Sequence, residues 1–124
     1  MSKINYIAEI KNEFPGLKEG EEDDDNWGNE GFDFLKKQDY AKAEIKFKML
    51  TQSQPNHHEG FEGLAYLYYE VGEKKRASWF MQKAIKIARK FLEDDSIDIE
   101  VIEEMEGNLR AIKTSKKLKK WWDK

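Results

Sequence analysis

The 124-residue chain has no cysteine. Disulfide scaffolding and thiolate chemistry are excluded with it. Only two prolines, Pro15 and Pro55, interrupt the chain, so helices meet few obligatory breaks. No apolar run is long enough to cross a bilayer, and the opening MSKINYIAEIKNEFPG carries a charge every few residues. Neither a membrane span nor a signal peptide is expected, and the reading is a soluble, cytoplasmic protein. The two histidines, His57 and His58, are adjacent with only Glu59 beside them. Neighbouring side chains rarely converge on one ion, so no metal site is expected. The acidic run at 21–25 lacks the alternating ligands and glycine of a calcium loop. Gly16 and Gly20 lack the lysine and hydroxyl of a phosphate-cradling loop. No serine–histidine constellation stands at a recognisable spacing. Catalytic residues and cofactors are therefore not expected.

Charge, by contrast, is plentiful. Charged residues make up 38% of the chain and hydrophobic ones 39%, with four Trp and seven Phe among an aromatic 13%. Disordered chains are poor in aromatics, so this one should fold. Lys, Glu, Ala, Leu and Ile dominate the periodic stretches and favour helix, which points to an all-α protein. The length suits one domain with a modest core. Residues 1–35 hold three lysines against ten acids, and residues 109–124 seven basic residues against Asp123 alone. Such a split serves a solvated polar surface, intramolecular attraction, head-to-tail association or a partner at one end.

Ile4, Ile7, Ile10 and Phe14 form one helical face that Pro15-Gly16 ends, giving an N-terminal capping helix at 1–16. An acidic linker, 17–23, follows. Its run of carboxylates suits the positive end of a helix containing Trp27. From there the chain repeats. Trp27, Gly31, Phe34, Ala43, Phe47, Leu50 and Pro55 are matched, 34 residues on, by Phe61, Ala65, Tyr68, Ala77, Met81, Ala84 and Arg89. Gly31 and Ala43 are small, so two antiparallel helices can approach there, with Trp27, Phe34 and Phe47 filling the surrounding space. Lys37-Gln38-Asp39 and Gly72 mark the turns. Ile99, Ile102, Met105, Leu109 and Ile112 give a last helical stripe, within a C-terminal capping helix and basic tail at 97–122.

These residues resemble the tetratricopeptide repeat. The first copy, 24–57, reads W-x2-E-G-x2-F, then A-x3-F and Pro55; the second, 58–91, reads F-x2-L-A-x2-Y, then A-x3-M. Glu30 stands where the family usually has Leu, and Arg89 where it usually has Pro, so helix should continue through Phe91. The resemblance implies an antiparallel helical hairpin stack of about six helices between two helical caps. It also implies a concave groove that holds a partner segment. By its register the groove residues are Phe32, Leu35, Tyr66 and Tyr69, with Glu59, Glu62 and Glu70 selecting positive charge. Lys and Asn of the chaperone-tail clamp are missing, since Gly28, Phe32 and Gly63 stand there.

Two readings of that face stay open on sequence. It is an open, aromatic, acidic-edged groove, or the chain's own C-terminal helix covers it. The implied function is a non-catalytic adaptor for a protein or peptide partner. Rivals are a self-assembling scaffold subunit, forming a homo-oligomer, and a small acidic chaperone for one client. The run KTSKKLKKWWDK offers a second surface through Lys116, Lys117, Lys120, Trp121 and Trp122. It suits a helix end, partner docking or, less well, a membrane or nucleic-acid phosphate. The acidic balance of the whole chain disfavours nucleic acid.

Overall fold

The computed structural model describes residues 6–17, 24–94 and 97–120. Those residues are all-helical, with six helices: α1 (Tyr6–Glu13), α2 (Asp24–Lys36), α3 (Tyr40–Ser53), α4 (Glu59–Glu70), α5 (Lys74–Glu93) and α6 (Ile99–Lys113). Ile4 and residues 21–23 of the acidic run lie outside the described residues.

The helices form two hairpins, α2 with α3 and α4 with α5, stacked through α3 against α4. The turns inside the hairpins are built alike. In the first, Gln38 N–H donates to Leu35 O and Asp39 N–H to Phe34 O. In the second, Gly72 N–H donates to Tyr69 O and Glu73 N–H to Tyr68 O. Each pair of bonds closes a helix end in the Schellman pattern, which needs a left-handed residue at its centre. Gln38 (φ 64°) and Gly72 (φ 85°) supply it. Asp39 then caps α3 by accepting from Lys42 N–H at 3.4 Å. The 34-residue register of the sequence is thus a register of backbone hydrogen bonds as well.

One side chain sets the distance between the hairpins. The Phe47 ring is wholly buried. A Cβ at Gly31 on α2 would fall 2.6–2.9 Å from it, and one at Gly63 on α4 closer still. Both glycines therefore leave room for a single aromatic plate wedged between α2 and α4. Gly60 does the same for Thr51, where α3 and α4 approach. The result is a central α4 in which every residue from Gly60 to Tyr68 is buried. A helix apolar on all sides must lie inside the molecule.

The caps lie on different sides. α1 packs on α3, and its Tyr6 ring meets Trp79 and Phe80 of α5 at 5.1 and 5.6 Å. It thus bridges the second helices of both hairpins. Gln52 Nε2 holds the chain after α1 by donating to Phe14 O and Leu17 O, at 2.7 and 2.8 Å. α6 packs on α5, with Ile102, Met105 and Ile112 buried and Arg89 paired to Glu106 at 2.7 Å. α5 does run through Arg89 to Glu93, as its missing proline implied. α6 ends at Lys113, so the described part of the basic tail lies beyond the helix. Thr114 Oγ1 takes up the Arg110 carbonyl at 2.7 Å. Ser115 (φ 58°) then forms a third Schellman end, with Lys116 N–H donating to Ala111 O. The basic segment beyond it leaves the helix and turns back.

Candidate binding groove

The α2 residues of the expected groove belong to the hairpin contact. Leu35 is buried, and half-buried Phe32 stands edge-on to Phe47, ring centroids 4.9 Å apart. Glu59, on the first turn of α4, reaches the bare backbone of Gly28, where a Cβ would collide with its carboxylate. Through Phe32 α2 thus meets Phe47 of α3, and through Gly28 it meets Glu59 on the first turn of α4.

The α4 residues face α6 and the segment that leaves it. Tyr66 is fully buried, so its hydroxyl needs partners. It donates to Glu62 Oε2 at 2.5 Å and accepts from Asn108 Nδ2 at 3.2 Å. Glu62 is itself only 5% exposed, and its other oxygen lies 3.4 Å from His58 Nδ1. Asn108, Tyr66, Glu62 and His58 thus form a row of polar groups crossing from α6 to the start of α4. A buried carboxylate held in this way is strongly positioned, since leaving either partner unpaired would be costly.

At one end of this row lies a cleft of about 330 Å³ lined by His58, Glu59, Glu62, Val101 and Glu104. At the other end the groove is filled by residues 116–120. Tyr69 Oη donates to Lys116 O, with a longer contact to Ala111 O at 3.4 Å. Asn108 grips Lys119 on both sides: Lys119 N–H donates to Asn108 Oδ1 at 2.8 Å, and Asn108 Nδ2 donates to Lys119 O at 3.2 Å. Leu118, alone among lysines, is buried at 7% exposure. Lys120 pairs with Glu70 at 2.8 Å and Lys119 with Glu104 at 3.8 Å. Beside them, Lys117 and Lys119 share a hollow of about 530 Å³ with Glu100, Glu103 and Glu104 on α6.

The structure therefore brings Glu59 and Glu62 together in the cleft, and Tyr69 and Glu70 together on the returning segment. Tyr66 lies beneath both. Of the two readings left open by the sequence, the second applies to the α4 side: the chain's own C-terminal region covers it, through 116–120 together with α6. Lys116 and Lys117 are exposed, Lys120 engages Glu70, and Trp121 and Trp122 lie outside the described residues. Asn108, Leu118, His58, Val101 and Glu104 were not among the expected site residues. Asn108 did leave a trace in the sequence. It stands three residues after Met105 and four before Ile112, a polar residue on the buried stripe of α6. Ile102, Met105 and Ile112 of the expected stripe are buried and Leu109 is half-buried against the core, while Ile99 is exposed and Asn108 lies inside beside them.

Among the described residues, no group of three or more metal-ligating side chains is arranged to hold an ion. No helix there is long and apolar enough to cross a membrane. In comparisons with known proteins, no family model, no curated protein and no solved structure matches this chain.

Proposed function

We propose that the chain is a tetratricopeptide-like, non-catalytic interaction module. It holds an extended segment of a protein partner in the groove between α4 and α6, in a cytoplasmic setting. The observation that carries this reading is the two-sided grip of Asn108 on the backbone of Lys119. A carboxamide that meets both the N–H and the C=O of one residue treats it as a neighbouring strand would. Such a grip takes an extended chain of any sequence. Selection then falls to the groups around it. Glu59, Glu62, Glu70 and Glu104 line the groove with carboxylates, which favours a positively charged segment. The 34-residue repeat supports the family resemblance, because it extends from side-chain sizes to the hydrogen bonds of the two turns.

The test is a titration of ¹⁵N-labelled protein with a short lysine- and leucine-containing peptide, monitored by chemical-shift perturbation. This readout detects binding even when it is weak. Amides of α4 and of α6 from Val101 onward should shift together. Shifts confined to α1 and α3, or none at millimolar peptide, would remove the groove from consideration.

A further inference from the structure

We infer that residues 116–120 are a built-in occupant of this groove. The partner is then an extended protein segment of the same chemistry, a leucine-like side chain flanked by lysines, and it binds by displacing them. The inference rests on the proposed function above and names both the ligand class and its competitor.

Four observations converge on it. First, the segment is held as a ligand is held. Beyond the bond that closes α6, its backbone is gripped by side chains, at Lys116 O by Tyr69 and at Lys119 by Asn108. It belongs to no helix, and no strand occurs among the described residues. Second, it divides its contacts as a recognised peptide does. One apolar anchor, Leu118, is buried, while its neighbours remain at the surface. Third, the charges match. Lys120 meets Glu70 and Lys119 meets Glu104, and four further carboxylates, Glu59, Glu62, Glu100 and Glu103, stand nearby in the cleft and hollow that continue the groove. The segment itself carries four lysines and no acid, so these carboxylates meet a purely cationic stretch.

Fourth, the segment is built to come away. It joins α6 through Thr114 and Ser115. Ser115 sits at φ 58°, a conformation that non-glycine residues adopt at a cost. Rotation there frees everything beyond without disturbing α6. The ion pairs that hold it are partly solvated: the Lys119 side chain is 77% exposed, so its pair contributes little. A groove whose competent state is only a minor fraction binds its partner with an affinity reduced by that fraction.

The experiment compares the full chain with Leu118→Ser/Lys120→Glu, which weakens the segment and leaves every groove residue in place. The probe is a fluorescently labelled peptide of residues 113–120, read by anisotropy, with circular dichroism as the check on folding. The variant should bind at least about tenfold more tightly than wild type, as expected when a self-occupied site is vacated. Adding Asn108→Ala to it should abolish the gain. Equal and measurable affinity in the two proteins overturns the self-occupancy while leaving the groove intact. Failure of both to bind overturns the groove itself. A wild-type mass that doubles with concentration, and no longer does so in the variant, also overturns self-occupancy, because the segment would then serve a second copy. Hydrogen exchange in wild type gives a readout that needs no variant. The Lys119 amide, sheltered by Asn108, should exchange faster as peptide is added; an unchanged rate at saturation would place the peptide elsewhere and overturn the proposal.

Discussion

Tyr68 shows how one buried hydroxyl ties stability to pH. It is 2% exposed and donates to Glu44 Oε2 at 2.8 Å, with the Arg76 guanidinium 5.4 Å from its ring. Burial, then the bond to Glu44 and its negative charge, hold the phenol far above the usual tyrosine range; Arg76 pulls weakly the other way. Unfolded tyrosine ionises near pH 10. Below that pH both states keep the proton and the contribution is complete. Above it the unfolded chain alone loses a proton, so stability falls by about 1.4 kcal/mol per pH unit. In urea melts from pH 8 to 11.5, Tyr68→Phe should start lower by about 1 kcal/mol for the lost hydrogen bond. It should then fall less steeply above pH 10. Parallel pH profiles for the two proteins would show that Tyr68 titrates as an ordinary tyrosine.

At the scale of the element, the helix ends carry more information than the helix middles. Gln38, Gly72 and Ser115 occupy the same left-handed position in three Schellman ends. Glycine fills that position without steric cost, and glutamine does not. Gln38→Gly should therefore raise stability by about 0.4–1 kcal/mol, the sum of relieved strain and a more flexible unfolded chain. A thermal melt checks it, and a lower melting temperature would mean that the Gln38 side chain contributes something its backbone conceals. The two hairpins were readable from sequence because small and large residues recur at a fixed spacing, and each hairpin closes locally across three residues. The end of α6 was not. Lysine suits a helix C-terminus, so the basic run reads as more helix. The chain is turned back instead by contacts between Tyr69, Glu70, Asn108 and residues 116–120. Those of Tyr69 and Glu70 are long-range in sequence and leave no local periodicity. Asn108 is hidden for a simpler reason: apolar patterns are read by their apolar members, and a polar residue on the stripe registers only as a gap.

For the molecule as a whole, the question is whether two hairpins unfold as one body. Stacked repeats contact only their neighbours and can lose cooperativity. Here α1 lies across α3 and α5 together, pinned by Tyr6 against Trp79 and Phe80 and by the Glu13–Lys48 pair at 2.9 Å. α6 closes the other side on α5. Urea unfolding should therefore be a single transition, with tryptophan fluorescence and far-ultraviolet circular dichroism superimposing. Separate midpoints would mean that α1 detaches before the hairpins part.

The Phe47 ring, lying against Gly31 and Gly63 at once, makes three distant positions a single unit of heredity. A methyl group added at 31 or at 63 has nowhere to go while the phenyl remains. A smaller side chain at 47 would instead leave a gap bounded by two bare backbones. As this sequence diversifies, substitutions at 31, 47 and 63 should be accepted together or rejected one by one. Covariation among those three places would then mark the repeat boundary more sharply than the pattern of any single helix.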